Sequence, residues 1–174
     1  MKKGSPRRAP VLRTAVRNDA RKIYDLIARN QQAGHLLPRE LIELTAHVDR
    51  FVVALDGRGS VIACAELAPL SQSLAEIRSL VVGEKRRGEG LGRRIVDELR
   101  ARARASGHDD LCVFAHQPAY FAHLGFSIVP HTWLPEKIST NCRTCPLFRR
   151  CEQFAMVTDL DNVPHSRTST QLHV

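Results

Sequence analysis

A glycine-rich loop between a strand-like run and an amphipathic helix constrains this chain more than any other feature. The apolar run ends at Leu80-Val81-Val82, and glycines follow at positions 88, 90 and 92. Backbone amides at the start of a helix have no internal acceptors, and the helix dipole is positive there. Glycine has no Cβ atom, so an anion approaches those amides closely. The segment therefore predicts a phosphate-binding loop.

Other interpretations of this loop are weaker. A dinucleotide-binding fold also places glycines after a strand, but it needs a parallel βαβ unit, and hairpin-linked strands come first here. A P-loop ends in Lys-Ser or Lys-Thr, which this loop lacks. The plainest alternative is a helix start with solvent-exposed arginines. The charge of Arg86, Arg87, Arg93 and Arg94 around the loop favours a bound anion.

The apolar pattern alternates between strand-like and helix-like segments. Strands are predicted at residues 11–16, 51–55, 61–68, 74–82, 111–115 and 154–160, with a further strand after Gly125-Phe126. The turn at Asp56-Gly57-Arg58-Gly59 indicates a hairpin. This order predicts an α/β domain with a mixed, largely antiparallel central sheet flanked by helices.

Helices are predicted between these strands. The first follows Asn18 or Asp19 and stops at Gly34, and a second begins near Pro38. A long helix runs from the glycine loop to about residue 105, and a short one runs from Pro118 to about residue 124. The stripe that we expect the long helix to bury is Leu91, Ile95, Leu99 and Ala103.

The length of 174 residues indicates one domain. We predict a disordered basic arm at residues 1–10, the domain at 11–160 and a flexible polar tail at 161–174. Because the chain has no apolar run of about 18 residues and no signal-peptide pattern, we expect a cytoplasmic protein with no membrane partner.

The formal net charge is +8, which is compatible with nucleic-acid binding or with attraction of a small polyanion. The sequence has no helix-turn-helix signal and no aromatic-rich basic face. Of the local basic clusters, the one around residues 85–94 coincides with the predicted phosphate loop. A small-molecule ligand is therefore favoured, and no nucleic-acid partner is expected.

The loop and a later segment resemble a known family. The run Arg87-Gly88-Glu89-Gly90-Leu91-Gly92 is similar to the Arg/Gln-x-x-Gly-x-Gly acetyl-CoA signature of the GCN5-related N-acetyltransferases, or GNAT family. The run Tyr120-Phe121-Ala122-His123-Leu124-Gly125-Phe126 resembles that family's aromatic-Leu-Gly-Phe segment. The resemblance implies the GNAT fold, acetyl-CoA as cosubstrate and a strand at residues 77–82 that splays from its neighbour and pairs with the pantetheine arm. The implied cofactor residues are Leu80, Val81, Val82, Arg87, Gly88, Glu89, Gly90, Leu91, Gly92 and Arg93.

Finer features resemble the short stand-alone N-acetylglutamate synthases of arginine biosynthesis. They are Leu36-Leu37-Pro38-Arg39, the run from Trp133 to Ile138, the later cysteine cluster and Ala155-Met156. The resemblance implies transfer of acetyl to the α-amino group of L-glutamate and suggests a homodimer. Leu37, Arg39 and Arg78 are the predicted substrate-binding residues.

The choice of acceptor stays open in the sequence. Glu40 stands where a small hydroxyl residue is expected, and its carboxylate would repel an acidic acceptor if it faced one. Another small amine or amino acid is therefore an alternative acceptor. A catalytically silent acetyl-CoA-binding module is the alternative to an enzyme.

Acid–base chemistry has several candidate residues. Glu76 aligns with the strand glutamate that is the base in some family members, and alternation puts it on one face with Arg78, Leu80 and Val82. The alternative roles for Glu76 and Arg78 are those of a structural ion pair. His116, at the end of a strand, is a second candidate base.

The steps at the thioester also have candidate groups. A backbone N–H near Val81 would stabilise the oxyanion. Tyr120 is a candidate acid for the thiolate, although the tyrosine of many family members aligns with Phe121, and adjacent helix positions face different directions. The thiolate would otherwise leave without an enzymatic acid.

A cysteine cluster lies within a predicted excursion at residues 131–153. Cys142, Cys145 and Cys151 have spacing that fits a structural zinc site, with His131 as a candidate fourth ligand. The alternative is a loop of three reduced thiols. Cys64 and Cys112 lie in apolar runs and are expected to be buried thiols.

Overall fold

The computed structural model describes residues 9–31 and 36–161. Most of the predicted arm and tail, and the predicted helix stop at Gly34, lie outside the described residues. The rest of the chain forms the predicted alternation of strands and helices.

Strands in the described residues form one seven-stranded open sheet. They are β1 (Val11–Thr14), β2 (Phe51–Leu55), β3 (Val61–Pro69), β4 (Leu74–Val82), β5 (Asp110–Ala115), β6 (Ser127–Val129) and β7 (Phe154–Asp159). Their order is β1-β2-β3-β4-β5-β7-β6. The β4–β5 pair is parallel and the other pairs are antiparallel. The predicted mixed, largely antiparallel sheet is confirmed.

Helices cover both faces of this sheet. They are α1 (Ala20–Gln31), α2 (Leu41–Ala46), α3 (Leu91–Ala105), α4 (Pro118–His123) and α5 (Pro135–Thr140). Of these, α5 was not predicted; it lies in the cysteine-rich excursion and starts with a proline in its first turn. None of the helices formed by residues 9–31 and 36–161 has both the length and the apolar character that a bilayer span requires.

Two apolar clusters pack against opposite faces of the sheet. The predicted stripe of α3, which is Leu91, Ile95, Leu99 and Ala103, is buried in one of them. Burying such a stripe stabilises the fold by roughly 1.5–3 kcal/mol for each large side chain. The α1 and α2 cluster lies across the sheet and includes Ile23, Leu26, Ile27 and Leu44.

One extra residue in β4 shifts its register against β3. Cys64 lies opposite Val81, whereas Glu66 lies opposite Arg78. Two residues of β4, at positions 79 and 80, therefore oppose the single residue at position 65. This arrangement is a β-bulge, which bends the strand and redirects the side chains that follow.

Because of the bulge, the side chains of β4 after Arg78 lie on other faces than the sequence predicted. Glu76 and Arg78 share a face, as alternation predicted, and their side chains are 3.9 Å apart. Beyond the bulge, however, Leu80 and Val82 pack into the α3 cluster, and Val81 packs into the α1 cluster. The prediction that all four alternating positions share one face is wrong, because a periodic pattern does not reveal an inserted residue.

The sheet opens between β4 and β5. Their parallel pairing runs from Leu74↔Asp110 to Ile77↔Val113. Beyond that point β4 continues to Val82 beside β3, and β5 continues beside β7. The predicted splay of this strand is thereby observed, and it leaves a cleft in the middle of the sheet.

Asp19 fixes the start of α1 against β1. It is 2% exposed and accepts hydrogen bonds from both terminal nitrogens of Arg13, at 2.6 and 3.1 Å, and from the backbone amide of Val16 at 2.8 Å. The hydrogen bond from Arg13 is the main reason that the pKa of Asp19 lies below its usual value, although burial opposes the shift.

We expect Asp19→Asn to lower the free energy of unfolding by about 2 kcal/mol at pH 7, because bonds to a charged acceptor are lost. A carboxylate with a depressed folded pKa contributes its stability above its unfolded pKa of about 4 and loses it as pH falls through the folded value. The difference between D19N and the natural protein should therefore shrink below pH about 4. Urea unfolding between pH 2 and 7 measures it.

Asp25→Asn is the matched control. It removes the same charge from a pair with Arg21 in which both side chains are well exposed. Its effect should stay within about 0.5 kcal/mol. An equal loss in D25N and D19N would contradict the role assigned to the buried carboxylate.

Candidate active site

The predicted phosphate loop forms a left-handed entry into α3. Gly88 and Gly90 have φ angles of 82° and 74°, in a region that L side chains rarely adopt. Gly90 is the residue before the helix, and its carbonyl accepts from the Arg94 amide at 3.1 Å. Helix geometry leaves the amides of Leu91, Gly92 and Arg93 without intrahelical acceptors. The loop is thus built to present donors to an anion.

Arg87 is held between β4 and α1. Its Nε donates to the Val82 carbonyl at 3.3 Å, and its Nη2 donates to Asn30 Oδ1 at 3.0 Å. Asn30 in turn donates to the Leu26 carbonyl at 2.8 Å. Sequence reasoning missed Asn30, because a single asparagine on the polar side of a helix gives no distinguishing signal.

The other arginines of the loop differ in how closely they are paired with carboxylates. Arg86 pairs with Glu89 at 2.8 Å, so the charge of Glu89 is matched within the loop. Arg93 is 73% exposed and lies 3.9 Å from Asp97. An arginine this exposed has a freely reorienting charge that is available to a phosphorylated ligand.

Tyr120 packs against the first turn of α3. A Cβ atom at Gly92 would overlap the Tyr120 hydroxyl and would lie 3.7 Å from Val82. Burial raises the pKa of Tyr120, so its hydroxyl stays protonated at neutral pH. Phe121, the next residue, is instead buried edge-on against Phe126. Tyr120 therefore lies beside the glycine loop, and Gly92 is required for its close approach.

Arg39 is enclosed by acceptors. Its Nε and Nη2 donate to the two oxygens of Glu43 at 3.0 and 2.7 Å, and Nη2 also donates to Glu66 Oε2 at 2.8 Å. Its Nη1 donates to Ser79 Oγ at 2.9 Å. The Arg39 side chain is only 9% exposed, and most of its N–H groups already bind acceptors of the protein.

Arg78 makes fewer close contacts with acceptors than Arg39 does. Its Nη2 lies 3.5 Å from Glu66 Oε1, and its Nε lies 3.9 Å from a Glu76 oxygen. Neither that Glu66 oxygen nor the Arg78 Nε has a hydrogen-bond partner among the described residues. The side chain is 23% exposed, so an incoming ligand has access to it. A buried donor and a buried acceptor without partners show that the charged cluster is incompletely paired at this point.

Glu76 is held by a lysine that sequence reasoning missed. Lys137 on α5 donates to its Oε2 at 2.8 Å and lies 2.7 Å from its Oε1. The same amine lies 5.2 Å from the centre of the Phe114 ring. Burial raises the pKa of Glu76, while the Lys137 charge opposes that shift. Lys137 lay within the run from Trp133 to Ile138, but only the fold shows that it faces β4.

Other predicted residues lie around this cluster. His116 follows β5 at the end that diverges from β4 and is half-buried. Leu37 is 48% exposed, and its carbonyl accepts from Gln31 at 3.3 Å. Glu40 is exposed at the start of α2, where water solvates its carboxylate. The expected repulsion from Glu40 is correspondingly weaker.

The cysteine cluster does not form the predicted zinc site. Cys142 and Cys145 are half-buried, Cys151 is exposed and all three are free thiols. No group of three or more His, Cys, Asp or Glu side chains within residues 9–31 and 36–161 is arranged to hold a metal ion. Among the expected buried thiols, Cys64 is fully enclosed, and burial raises its pKa to about 12.

Comparison with known proteins identifies the family. The model described as the Acetyltransferase (GNAT) family matches residues 15–126. The chain belongs to the GNAT family of acetyltransferases. The N-acetyltransferase CT2212 of Chlorobaculum tepidum is 33% identical over 155 residues, which cover 87% of this chain and 99% of that protein. The chain is accordingly an acetyl-CoA-dependent N-acetyltransferase.

Other relatives carry the name amino-acid acetyltransferase. The one from Mycobacterium tuberculosis is 34% identical over 126 residues, or 71% of each chain. Among solved structures, N-acetylglutamate synthase of Neisseria gonorrhoeae, complexed with coenzyme A and N-acetyl-glutamate, has a TM-score of 0.79 at 24% identity. That match covers 88% of this chain but only 35% of the synthase. Rv2747 of Mycobacterium tuberculosis, in complex with CoA, has a TM-score of 0.76 at 25% identity, covering 86% of this chain and 99% of that one.

We expect Gly92→Ala to weaken CoA binding roughly tenfold, because the new Cβ collides with the Tyr120 hydroxyl at the mouth of the loop. Calorimetric titration of CoA measures the change. The double variant G92A/Y120F should recover most of the affinity, since the colliding oxygen is gone. Tyr120→Phe alone is the control and should bind CoA within about threefold of the natural protein. Equal affinity in G92A and the natural protein would refute the packing requirement.

Proposed function

We propose that this enzyme transfers the acetyl group of acetyl-CoA to the α-amino group of an amino acid, with L-glutamate as the leading acceptor. The observation that carries the proposal is Arg78, a partly exposed guanidinium with an unmatched Nε, beside the buried acid Glu76 where the sheet opens. The amino-acid acetyltransferase relatives support the same choice. Acetylation of glutamate would be the first step of arginine biosynthesis.

Acetyl-CoA would lie across the start of α3 and along the open edge of β4. The amides at positions 88–92 and the exposed Arg93 would bind the diphosphate. The pantetheine arm would pair with the backbone of Leu80 to Val82, where β4 no longer pairs with β5. The amide of Val81 is the candidate donor to the oxyanion.

The acceptor would enter beside Arg78. Its α-carboxylate would meet the exposed part of the Arg78 guanidinium, and a charge-assisted bond there contributes about 1.5–3 kcal/mol. Arg39 contributes at most one N–H, because its four bonds to Glu43, Glu66 and Ser79 use the rest. Leu37 would supply apolar contact.

Glu76 is the candidate general base. Its raised pKa makes it a better proton acceptor than an ordinary glutamate, and the ion pair with Lys137 keeps it available as a carboxylate. The amine would lose its proton to Glu76 directly or through one water and then attack the thioester carbon. His116 is the alternative base. Tyr120, protonated at neutral pH, is the candidate donor to the leaving thiolate.

A second candidate acceptor is an amino acid with a single carboxylate. The charged groups of the site balance, with three cations beside three carboxylates, and among these described cations the Arg78 Nε is a buried nitrogen without a hydrogen-bond partner. A zwitterion fits such a site without adding net charge. The groups in this balance are Arg39, Arg78, Lys137, Glu43, Glu66 and Glu76.

An acceptor screen distinguishes the two candidates. Thiol release from acetyl-CoA should be fastest with L-glutamate among glutamate, glutamine, aspartate, lysine and polyamines. Arg78→Met should lower kcat/KM for the amino acid by roughly tenfold to a hundredfold, with the KM of acetyl-CoA nearly unchanged. Arg102→Met, on the far part of α3, is the control. Equal rates with glutamate and glutamine would favour the single-carboxylate acceptor, and no release with any amino acid would overturn the proposal.

The pH dependence of kcat/KM tests the base. Glu76→Gln should lower the rate by about a hundredfold or more. Because the Lys137 charge lowers the pKa of Glu76, Lys137→Met should raise that pKa and move the acid limb of the profile to higher pH. Lys22→Met, an exposed lysine on α1, should leave the limb in place. An acid limb that responds instead to His116→Gln would transfer the role of base to His116.

A further inference from the structure

The bulge of β4 is hydrogen-bonded by a residue of the segment that leads into α2. Ser79, within the bulge, has a φ of 52°, in the left-handed region that non-glycine residues rarely adopt. Its hydroxyl accepts a hydrogen bond from Nη1 of Arg39, which precedes α2, at 2.9 Å. A helix-flanking arginine thus contacts the one residue of β4 whose backbone is strained.

Arg39 is itself rigidly fixed. Glu43 binds it through both carboxylate oxygens, and the fully buried Glu66 binds it at 2.8 Å. A guanidinium held at several points by carboxylates has little freedom to turn toward a ligand. Its hydrogen bond to Ser79 is therefore a fixed support, and the support is applied at the bulge.

The bulge decides how β4 presents its open edge. Pairing with β5 ends at Ile77, so the bulge falls at the start of the splayed section. A shift of one residue exchanges the two faces of a strand and the directions of its backbone groups. The register after Ser79 therefore sets which amides of residues 80–82 face the cleft.

We infer that Arg39 is a positioning residue for β4. Through the Ser79 hydroxyl, Arg39 holds the β4 bulge in the register that presents the open edge of the strand to the pantetheine arm. The inference rests on the proposed placement of acetyl-CoA along β4. It gives Arg39 a role different from the acceptor-binding role that the sequence indicated. Substrate preference would then depend on Arg78, and Arg39 would govern cofactor geometry.

Two substitutions at Ser79 separate the bulge from the hydroxyl. Ser79→Ala and Ser79→Gly both remove the hydroxyl and leave the buried ion pairs intact. Alanine keeps the unfavourable left-handed φ, whereas glycine adopts it readily. We expect calorimetry to show CoA binding roughly tenfold weaker in S79A and within about threefold of the natural protein in S79G. Ser71→Ala, which removes a hydroxyl bonded to the Leu74 amide at 3.1 Å, is the control and should leave CoA affinity unchanged.

A substitution of Arg39 completes the test. Arg39→Lys keeps the positive charge beside Glu66 but does not serve Glu43, Glu66 and Ser79 at once. It should weaken CoA binding in the natural background and have a smaller effect in the S79G background, where the bulge needs less support. Thermal melting shows whether each variant is folded. If R39K does not fold, the comparison of S79A with S79G tests the inference by itself.

Several outcomes would overturn the inference. Equal losses in S79A and S79G would mean that the hydroxyl itself, and not the bulge, is needed. Unchanged CoA affinity in both would mean that the bulge needs no anchor. A higher acceptor KM in R39K with unchanged CoA affinity would return Arg39 to acceptor binding. CoA titration requires no acceptor, so the affinities that it measures are independent of whether glutamate is the substrate.

Discussion

The buried ion pair between Arg39 and Glu66 is the interaction on which the site depends. A fully buried carboxylate is costly unless it is paired and hydrogen-bonded, and Arg39 provides that partner at 2.8 Å. The same guanidinium reaches Glu43 on α2 and Ser79 on β4. One side chain therefore joins a helix and two strands at the point where the sheet opens.

That opening brings together two halves of the chemistry that lie on different faces. The α3 face carries the glycine loop and Tyr120, which are suited to a phosphorylated cofactor. The opposite face carries the charged cluster of Arg78, Glu76 and Lys137, which is suited to a small ionic acceptor. Because β4 belongs to both faces, its bulge controls how the halves are aligned. The buried charges also have a desolvation cost, and replacing such groups by well-packed apolar residues is often neutral or stabilising, but here it would remove the proposed acceptor site.

Local patterns predicted more of the fold than of the site. The buried stripe of α3 and the position of the glycine loop before that helix were confirmed, because helical periodicity and turn chemistry are local properties. Glu66 was missed, although a charged residue inside the apolar run at residues 61–68 was a usable signal for a buried ion pair. Lys137 lies within the run from Trp133 to Ile138, but nothing in the local sequence indicates that α5 folds back onto β4. The zinc prediction at Cys142 to Cys151 failed, since spacing alone does not bring ligands together.

By itself the sequence determined the family, the sheet class and the glycine loop that opens α3, because those depend on residues close together in the chain. Tertiary structure alone decided which charged side chains are free. Arg39 and Arg78 are both arginines near the cleft, but long-range pairing with Glu66 consumes the first and leaves the second a donor without an acceptor. The register of β4 was likewise set by packing across the sheet, where the extra residue is contacted by Arg39, a long-range contact that a linear pattern does not contain.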